Sequence, residues 1–374
     1  MNFYYNPVRL HWGEHCLCEL KTELLKLQAK NILLIKWSEQ ALNNPAGEDL
    51  YHAVSDCQIT ELVFSKSNPD IHDLFEVYQQ HKNEQPDVIL AIGGGSVLDM
   101  AKSLAAILNK DYSGTEQLRE AIASKRTGTP KCPWIGIPTT AGTGSEVTCW
   151  ATVWDSEKDA KLSLENHENY AYAAFVDPAF TVSMPLQLVV SSALDAAAHA
   201  TESYWSKAQN MVSDIYALKA VSMIMENLEP LIQTRDPKYY LAMAEASMLA
   251  GRAFSNTKTT ACHSISYPLT LGYGIPHGIA VSMLLPALLC INWKTIPETA
   301  PLLQAYGVKT PEEAGAKIEK LLDLAKISHR LSDWKVEKEQ IETIADHCFT
   351  KGRMENNPVD LKKQDVVNIL KNIW

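Results

Sequence analysis

Residues 88–102 read VILAIGGGSVLDMAK: an apolar run, three consecutive glycines, and the opening of an apolar helix. No other stretch narrows the choice of fold so far. A continuous apolar run bounded by glycine reads as a strand buried on both faces, and such strands belong to parallel sheets covered by helices. Gly93, Gly94 and Gly95 make the turn, and Ser96 as N-cap with Asp99 three residues later reads as a capping box that sets the helix start. Bare backbone ahead of a helix offers free N–H groups to an anion, with phosphate the usual guest. The alternative is a tight turn that binds nothing, and the run lacks the G-x-G-x-x-G spacing that would decide between them.

The surrounding sequence extends the pattern. Apolar runs NILLIKW (31–37), ITELVF (59–64), DVILAIG (87–93) and CPWIGIP (132–138) alternate with helical stretches. Ile71, Leu74, Phe75 and Tyr78 recur at helical spacing and predict a helix facing a sheet. Such alternation predicts an α/β fold with a mostly parallel, Rossmann-like sheet. SEVTCWATVWD and AKLSLEN read as a strand pair near its edge. After the fourth apolar run comes GIPTTAGTGSEVT, a second glycine-rich turn dense in hydroxyls: Thr139, Thr140, Thr143, Ser145 and Thr148. Two such loops at the carboxyl ends of parallel strands form the crevice where open sheets hold ligands, and a dinucleotide is its natural occupant.

Beyond VDPAFTVSMP the texture changes to long helical stretches, which predicts an all-α second domain. A chain of 374 residues also exceeds what one core usually holds. We therefore expect a dinucleotide-binding α/β domain over 1–184 and an all-helical metal-binding and substrate domain over 185–374. In the helical part, Asp195 and His199 lie four apart in an alanine-rich helix and project from one face. His263 and His277 follow, with Pro268, Gly272, Gly274 and Pro276 between them to reverse the chain. One carboxylate and three imidazoles suit a divalent transition metal such as iron or zinc. The bland reading is equally open at this point, because an Asp/His pair at this spacing is also a common helix-surface contact and a buried histidine is often hydrogen-bonded core.

Net charge is -10 with no basic block, which argues against a nucleic-acid partner. The start, MNFYYNPVRLHW, lacks a charged leader with an apolar segment, and no apolar run nears the roughly 18 residues of a membrane span. The expectation is a cytoplasmic protein with no membrane partner. Eight scattered cysteines, with only Cys16 and Cys18 close together, read as reduced thiols.

GGGSVLDMAK, PTTAGTGSE, LDAAAHATES and CHSISYPL with GIPHG, in this order and spacing, resemble the iron-dependent (type III) alcohol dehydrogenases. The likeness runs from FYYNPVRLHWGE to the last helices. It implies a dehydroquinate synthase-like architecture with the active site in the cleft between the domains. By this resemblance Asp195, His199, His263 and His277 match the metal ligands, with Fe2+ the first choice and Zn2+ the alternative. Gly94, Gly95, Ser96 and Asp99 match the pyrophosphate loop, and Asn68, Thr139, Thr140, Thr148 and Lys161 match further contacts to NAD or NADP. The implied reaction moves hydride between the nicotinamide and a small alcohol or aldehyde, with the metal polarising the carbonyl. The implied assembly is a homodimer or larger homo-oligomer.

Two positions depart from the family's usual pattern. Trp37 stands where many members keep an acidic residue for the ribose 2'-hydroxyl, and Lys36 beside it would meet a 2'-phosphate, which favours acceptance of NADP. Tyr267 stands where many members have a further histidine, either as proton donor or as packing. SYPLT with GIPHG, together with TCWATVWD, resembles the branch that reduces phosphonoacetaldehyde to 2-hydroxyethylphosphonate. Lys258 and Arg252 are then the cations expected near the charged head. Two other readings fit the same architecture: a carbon–oxygen lyase of the dehydroquinate synthase kind, which returns its hydride to the coenzyme, and a non-catalytic metal-binding relative.

Overall fold

The computed structural model describes residues 3–158 and 160–374. The chain divides into two compact units. The α/β unit takes Asn6–Thr140 and Ser145–Ser183; the helical unit takes Met184–Trp374, the loop Ala141–Gly144 and an N-terminal segment ending at Tyr5.

In the α/β unit, strands β1 (Arg9–Trp12), β2 (Asn31–Lys36), β3 (Gln58–Val63), β4 (Val88–Gly93) and β5 (Trp134–Pro138) join a later strand at Ala173–Val176 in one sheet. The hairpin β6 (Trp150–Asp155) and β7 (Ala160–Glu165) is a separate antiparallel pair, so the late strand is β8. The large sheet is parallel throughout, in the order β1-β8-β5-β4-β2-β3. Every residue of β4 and β5 is buried, as two covered faces require. The connecting helices are α1 (Leu20–Lys26), α2 (Pro45–Ala53), α3 (Ile71–His81), α4 (Gly95–Ile107) and α5 (Thr115–Ala123). The predicted helix is α3, with Ile71, Leu74 and Tyr78 buried and Phe75 partly so.

Strand order locates the crevice. From β2 the chain steps to β3 on one side and then to β4 on the other, so the direction of winding reverses between β2 and β4. Their carboxyl ends carry Lys36 and Gly93, and open parallel sheets bind ligands at this reversal.

One sequence expectation fails here. The N-cap of α4 is Gly94, not Ser96, and no side chain caps it. Ser96 lies inside the first turn, where its Oγ accepts from Asn68 N at 3.1 Å. Asp99 accepts from Ser145 Oγ at 2.6 Å and Thr152 N at 2.8 Å. Both groups that a capping box would use are drawn to tertiary partners, which leaves the helix end bare.

The helical unit begins with α6 (Leu186–Trp205), α7 (Met211–Thr234), α8 (Pro237–Thr257), α9 (Ala261–Tyr273) and α10 (His277–Asn292). Helix α6 is buried on nearly every side from Val189 onward, and its alanines 196, 197, 198 and 200 let α7, α8 and α10 approach closely. Against expectation, one helical stretch, His277–Thr295, has the length and hydropathy of a membrane span. Its reason is packing: α10 is a core helix held by α6 and α9, with Ile279 to Leu285 buried.

Candidate metal centre and nucleotide loops

The metal candidates come from three helices. Asp195 and His199 lie on α6, His263 on the first turn of α9, and His277 opens α10. Glycine sets the closest approach. A Cβ added to Gly278 would lie 2.3 Å from Ser191 O and 3.2 Å from Asp195 Cβ, so α10 can meet α6 here only without a side chain. That contact brings His277 to Asp195. Donor atoms of Asp195, His263 and His277 all lie within 4.8 Å of one another.

His199 is beside this group but outside the 4.8 Å set. Its ring stacks between Phe254 (centroids 4.2 Å) and His263 (4.4 Å), and its Nδ1 approaches Gly142 O at 3.3 Å. Tyr267, one turn beyond His263 on α9, is buried and stacks on the His277 ring at 5.8 Å. Lys258 ends α8 at a half-buried position with φ 62°. Arg252 is turned elsewhere: its guanidinium lies over the Tyr216 ring, and it sits about 200° around α8 from Phe254, the residue that touches His199. It therefore packs toward α7 through Tyr216.

The donor set fits a cation. Asp195 Oδ1 and His263 Nε2 approach to 3.4 Å, yet both are buried polar atoms with no hydrogen-bond partner. Orphaned atoms of this kind are rare and call for a missing partner. Burial alone would raise the Asp195 carboxyl, but His199 and His263 outweigh it and hold the group well below the usual range. Burial depresses His199 to about 4, leaving it neutral and able to ligate. Burial also opposes charge on His263, yet Glu202 and Asp195 raise it to about 10, so with no ion present the ring is held as an imidazolium between the two carboxylates, and a cation at Nε2 would replace that proton. A nitrogen- and oxygen-rich pocket that favours positive charge suits a divalent transition metal.

Glu202 was not singled out by the sequence. It is fully buried, one further turn along α6, and its carboxylate pairs with His263 Nδ1. The available signal was its spacing, seven residues after Asp195 and three after His199.

In the α/β unit the first glycine-rich loop meets the start of the second. Thr139 N donates to Gly93 O at 3.0 Å, and a Cβ on Gly94 would come within 3.2 Å of Thr140 Cγ2. Gly94, Gly95, Ser96, Asn68, Thr139 and Thr140 thus surround the uncapped start of α4, which presents free N–H groups of the kind a pyrophosphate takes. Asn68 holds φ 54°, a left-handed conformation. Gly93 answers to packing instead, since its added Cβ would lie 2.5 Å from Val97 Cβ.

Thr148 and Asp99 belong to a buried network below the loops. Lys102 Nζ donates to Ser145 O (2.9 Å), Ser145 Oγ (3.0 Å), Thr148 Oγ1 (3.1 Å) and Trp150 O (2.8 Å). Lys161 sits on the hairpin with its Nζ over the Trp154 ring at 5.5 Å. Lys36 does not await a phosphate: it is buried and paired with Glu61 at 2.6 Å and Glu39 at 3.1 Å. Two carboxylates satisfy the charge that favoured NADP, and that expectation is withdrawn.

Comparison with known proteins places these features. The profile described as "Iron-containing alcohol dehydrogenase" matches residues 7–178, and "Fe-containing alcohol dehydrogenase family, C-terminal" matches 189–374. The chain is 29% identical over 392 residues to the NAD-dependent methanol dehydrogenase of Bacillus methanolicus, covering 99% of each. It is 29% identical over 309 residues to the phosphonoacetaldehyde reductase of Streptomyces viridochromogenes, covering 76% of this chain and 75% of that one. Among solved structures, sulfoacetaldehyde reductase from Bifidobacterium kashiwanohense in complex with NAD+ superposes with TM-score 0.91 at 25% identity, covering 100% of this chain and 98% of that one. A parallel sheet with a bare glycine loop, a helical unit with a buried carboxylate–histidine cluster, and profiles matching both halves lead to one assignment: this chain belongs to the iron-containing alcohol dehydrogenase family.

Proposed function

We propose that the protein is a metal-dependent alcohol dehydrogenase or aldehyde reductase that exchanges hydride between NAD(H) and a small alcohol or aldehyde. The observation that carries this reading is the convergence of Asp195, His263 and His277 donors with two orphaned buried atoms, in a chain of this family. These three residues and His199 would hold the ion. Bound there, a divalent cation supplies Lewis acidity to a carbonyl, and the nicotinamide supplies the hydride. Gly94, Gly95 and Ser96 would hold the pyrophosphate at the start of α4, with Asn68, Thr139 and Thr140 around it. Thr148 and Asp99 act beneath them by fixing the loop, and Lys161 is the outlying member of the coenzyme set.

Tyr267, packed on His277, is the proposed proton donor to the substrate oxygen. Lys258 is the proposed cation for a charged substrate head. NAD(H) is preferred over NADP(H), because the cation at the end of β2 is occupied by Glu39 and Glu61. Phosphonoacetaldehyde is the first specific substrate to test, by similarity to a reductase of that compound.

The test is an aldehyde panel on metal-reconstituted protein, followed at the nicotinamide absorbance with NADH and NADPH in parallel. Sustained net NADH oxidation with an aldehyde supports the reading; none with any aldehyde overturns it. Turnover of phosphonoacetaldehyde no better than propanal removes the finer substrate assignment.

A further inference from the structure

Helix α6 carries a second buried carboxylate that the ligand set does not use. Asp195, His199 and Glu202 fall at i, i+4 and i+7 and so share one helical face. Glu202 has no exposed surface. Its Oε1 accepts from Thr260 N (3.1 Å), Thr260 Oγ1 (2.7 Å) and Cys262 N (2.8 Å), and its Oε2 pairs with His263 Nδ1. Burial disfavours a charged carboxylate unless hydrogen bonds replace its water, so this degree of satisfaction is what permits it to stay charged.

The donors to Oε1 lie at the start of α9. Thr260 is the N-cap and makes no side-chain cap bond of its own; Glu202 reaches in from α6 and takes the exposed N–H groups instead. One carboxylate therefore fixes both the origin of α9 and the ring of the histidine three residues into the motif. An ionised carboxylate only accepts, so the ring nitrogen facing it must carry the proton. Nδ1 is thus the N–H, and the other nitrogen, Nε2, is the one that points toward Asp195 Oδ1 without a hydrogen-bond partner.

We propose that Glu202 is a positioning residue for the metal centre: it holds His263 in the Nδ1–H form so that the lone pair of Nε2 faces the ion. The proposal rests on the reading of Asp195, His263 and His277 as ligands. A histidine ligand whose second nitrogen is held by a carboxylate gains basicity and a fixed orientation, and removing such a partner typically lowers metal affinity 10–100-fold.

Glu202→Gln separates positioning from simple capping. The glutamine carbonyl can still accept from Thr260 and Cys262, which preserves the start of α9. Its amide N–H2 would face Nδ1, which then becomes the acceptor, and the proton moves to Nε2 where it blocks coordination. Glu202→Asp keeps the acceptor but withdraws it by one methylene.

The experiment titrates full-length apo wild type, Glu202→Gln, Glu202→Asp and His277→Ala with Co2+ against a chromophoric chelator. It also records the Co2+ visible spectrum and the melting midpoint of each apo protein. We expect Glu202→Gln to bind Co2+ about 10–100-fold more weakly with an altered visible spectrum and an apo midpoint near wild type. Glu202→Asp should lose less. Wild-type affinity and spectrum in Glu202→Gln, with binding lost in His277→Ala, would overturn the role of Glu202 alone. Unchanged binding in His277→Ala would overturn the ligand reading itself. An apo midpoint that falls in step with affinity in both Glu202 variants would make Glu202 a helix cap only, and would also overturn the proposal.

Discussion

Lys102→Met tests the buried network beneath the glycine-rich loops proposed to hold the coenzyme. The Lys102 side chain is fully buried, and its Nζ donates to two hydroxyls and two backbone carbonyls at 2.8–3.1 Å. Methionine keeps the length and volume but donates nothing. The hydroxyls of Ser145 and Thr148 can rotate to other partners, whereas the carbonyls of Ser145 and Trp150 are fixed in the backbone. Ser145 O keeps Thr148 N and Oγ1 as donors at 3.3 Å, so what methionine removes is the buried ammonium itself. Removing one member of a buried charge set costs about 3–5 kcal/mol, which centres the expectation near 4 kcal/mol. At about 2–4 °C per kcal/mol for a unit of this size, the melting midpoint of the α/β unit should fall by about 8–16 °C. Because the same bonds hold Ser145–Trp150 against α4, the NADH Kd should rise while affinity for metal does not change. Differential scanning calorimetry and fluorescence titration with NADH read the two effects. A fall of less than about 3 °C with unchanged NADH affinity would refute the reasoning, since it would mean the loops keep their arrangement without the ammonium.

Gly278→Ala forces α10 away from Ser191 O, and the expected result is metal affinity lowered at least tenfold with the helical unit still folded, measured by chelator competition and circular dichroism. Gly93→Ala meets Val97 rather than any ligand, so it should destabilise by about 1–3 kcal/mol in urea unfolding. Burial raises the fully enclosed Glu146 carboxyl from 4.5 to about 7, so the fold favours its protonated form. Its contribution is complete below about pH 4.5 and is lost as pH rises through 7, about 3 kcal/mol in all. Glu146→Gln should flatten the stability–pH curve across that window, and a curve parallel to wild type would reject the assignment. Chelation followed by gel filtration should abolish aldehyde reduction and leave NADH binding to the α/β unit intact, with activity restored by Fe2+ or Zn2+.

The central strands were legible because burial on both faces leaves uninterrupted apolar runs, as in β2 and β4. The long helices were legible from helical periodicity, whereas alternation in the β6–β7 stretch was weak, and the pair expected near the edge of the sheet forms a separate two-stranded sheet. Strands β1 (RLHW) and β8 (AAFV) escaped notice at four residues each: too short for a pattern, they are strands because a neighbour pairs with them. Ser96 and Asp99 have the local spacing of a capping box, but tertiary partners outbid it, and sequence spacing carries no information about Ser145 or Asn68. Lys36 read as a free cation because its partner Glu61 lies on the next strand. The metal candidates were legible as residue types, and their gathering was not, since it depends on Gly278 and on a glutamate that ordinarily faces water.

The donor atoms of the proposed metal centre come from helices that an unfolded chain cannot hold together. Any ion they bind is therefore bound by the native form alone, and mass action adds about 2.7 kcal/mol at a free concentration one hundred times Kd. The turnover time of this protein in a cell becomes linked to metal supply: starvation for the ion leaves a population that opens more often and is cleared sooner, before any catalytic deficit is counted.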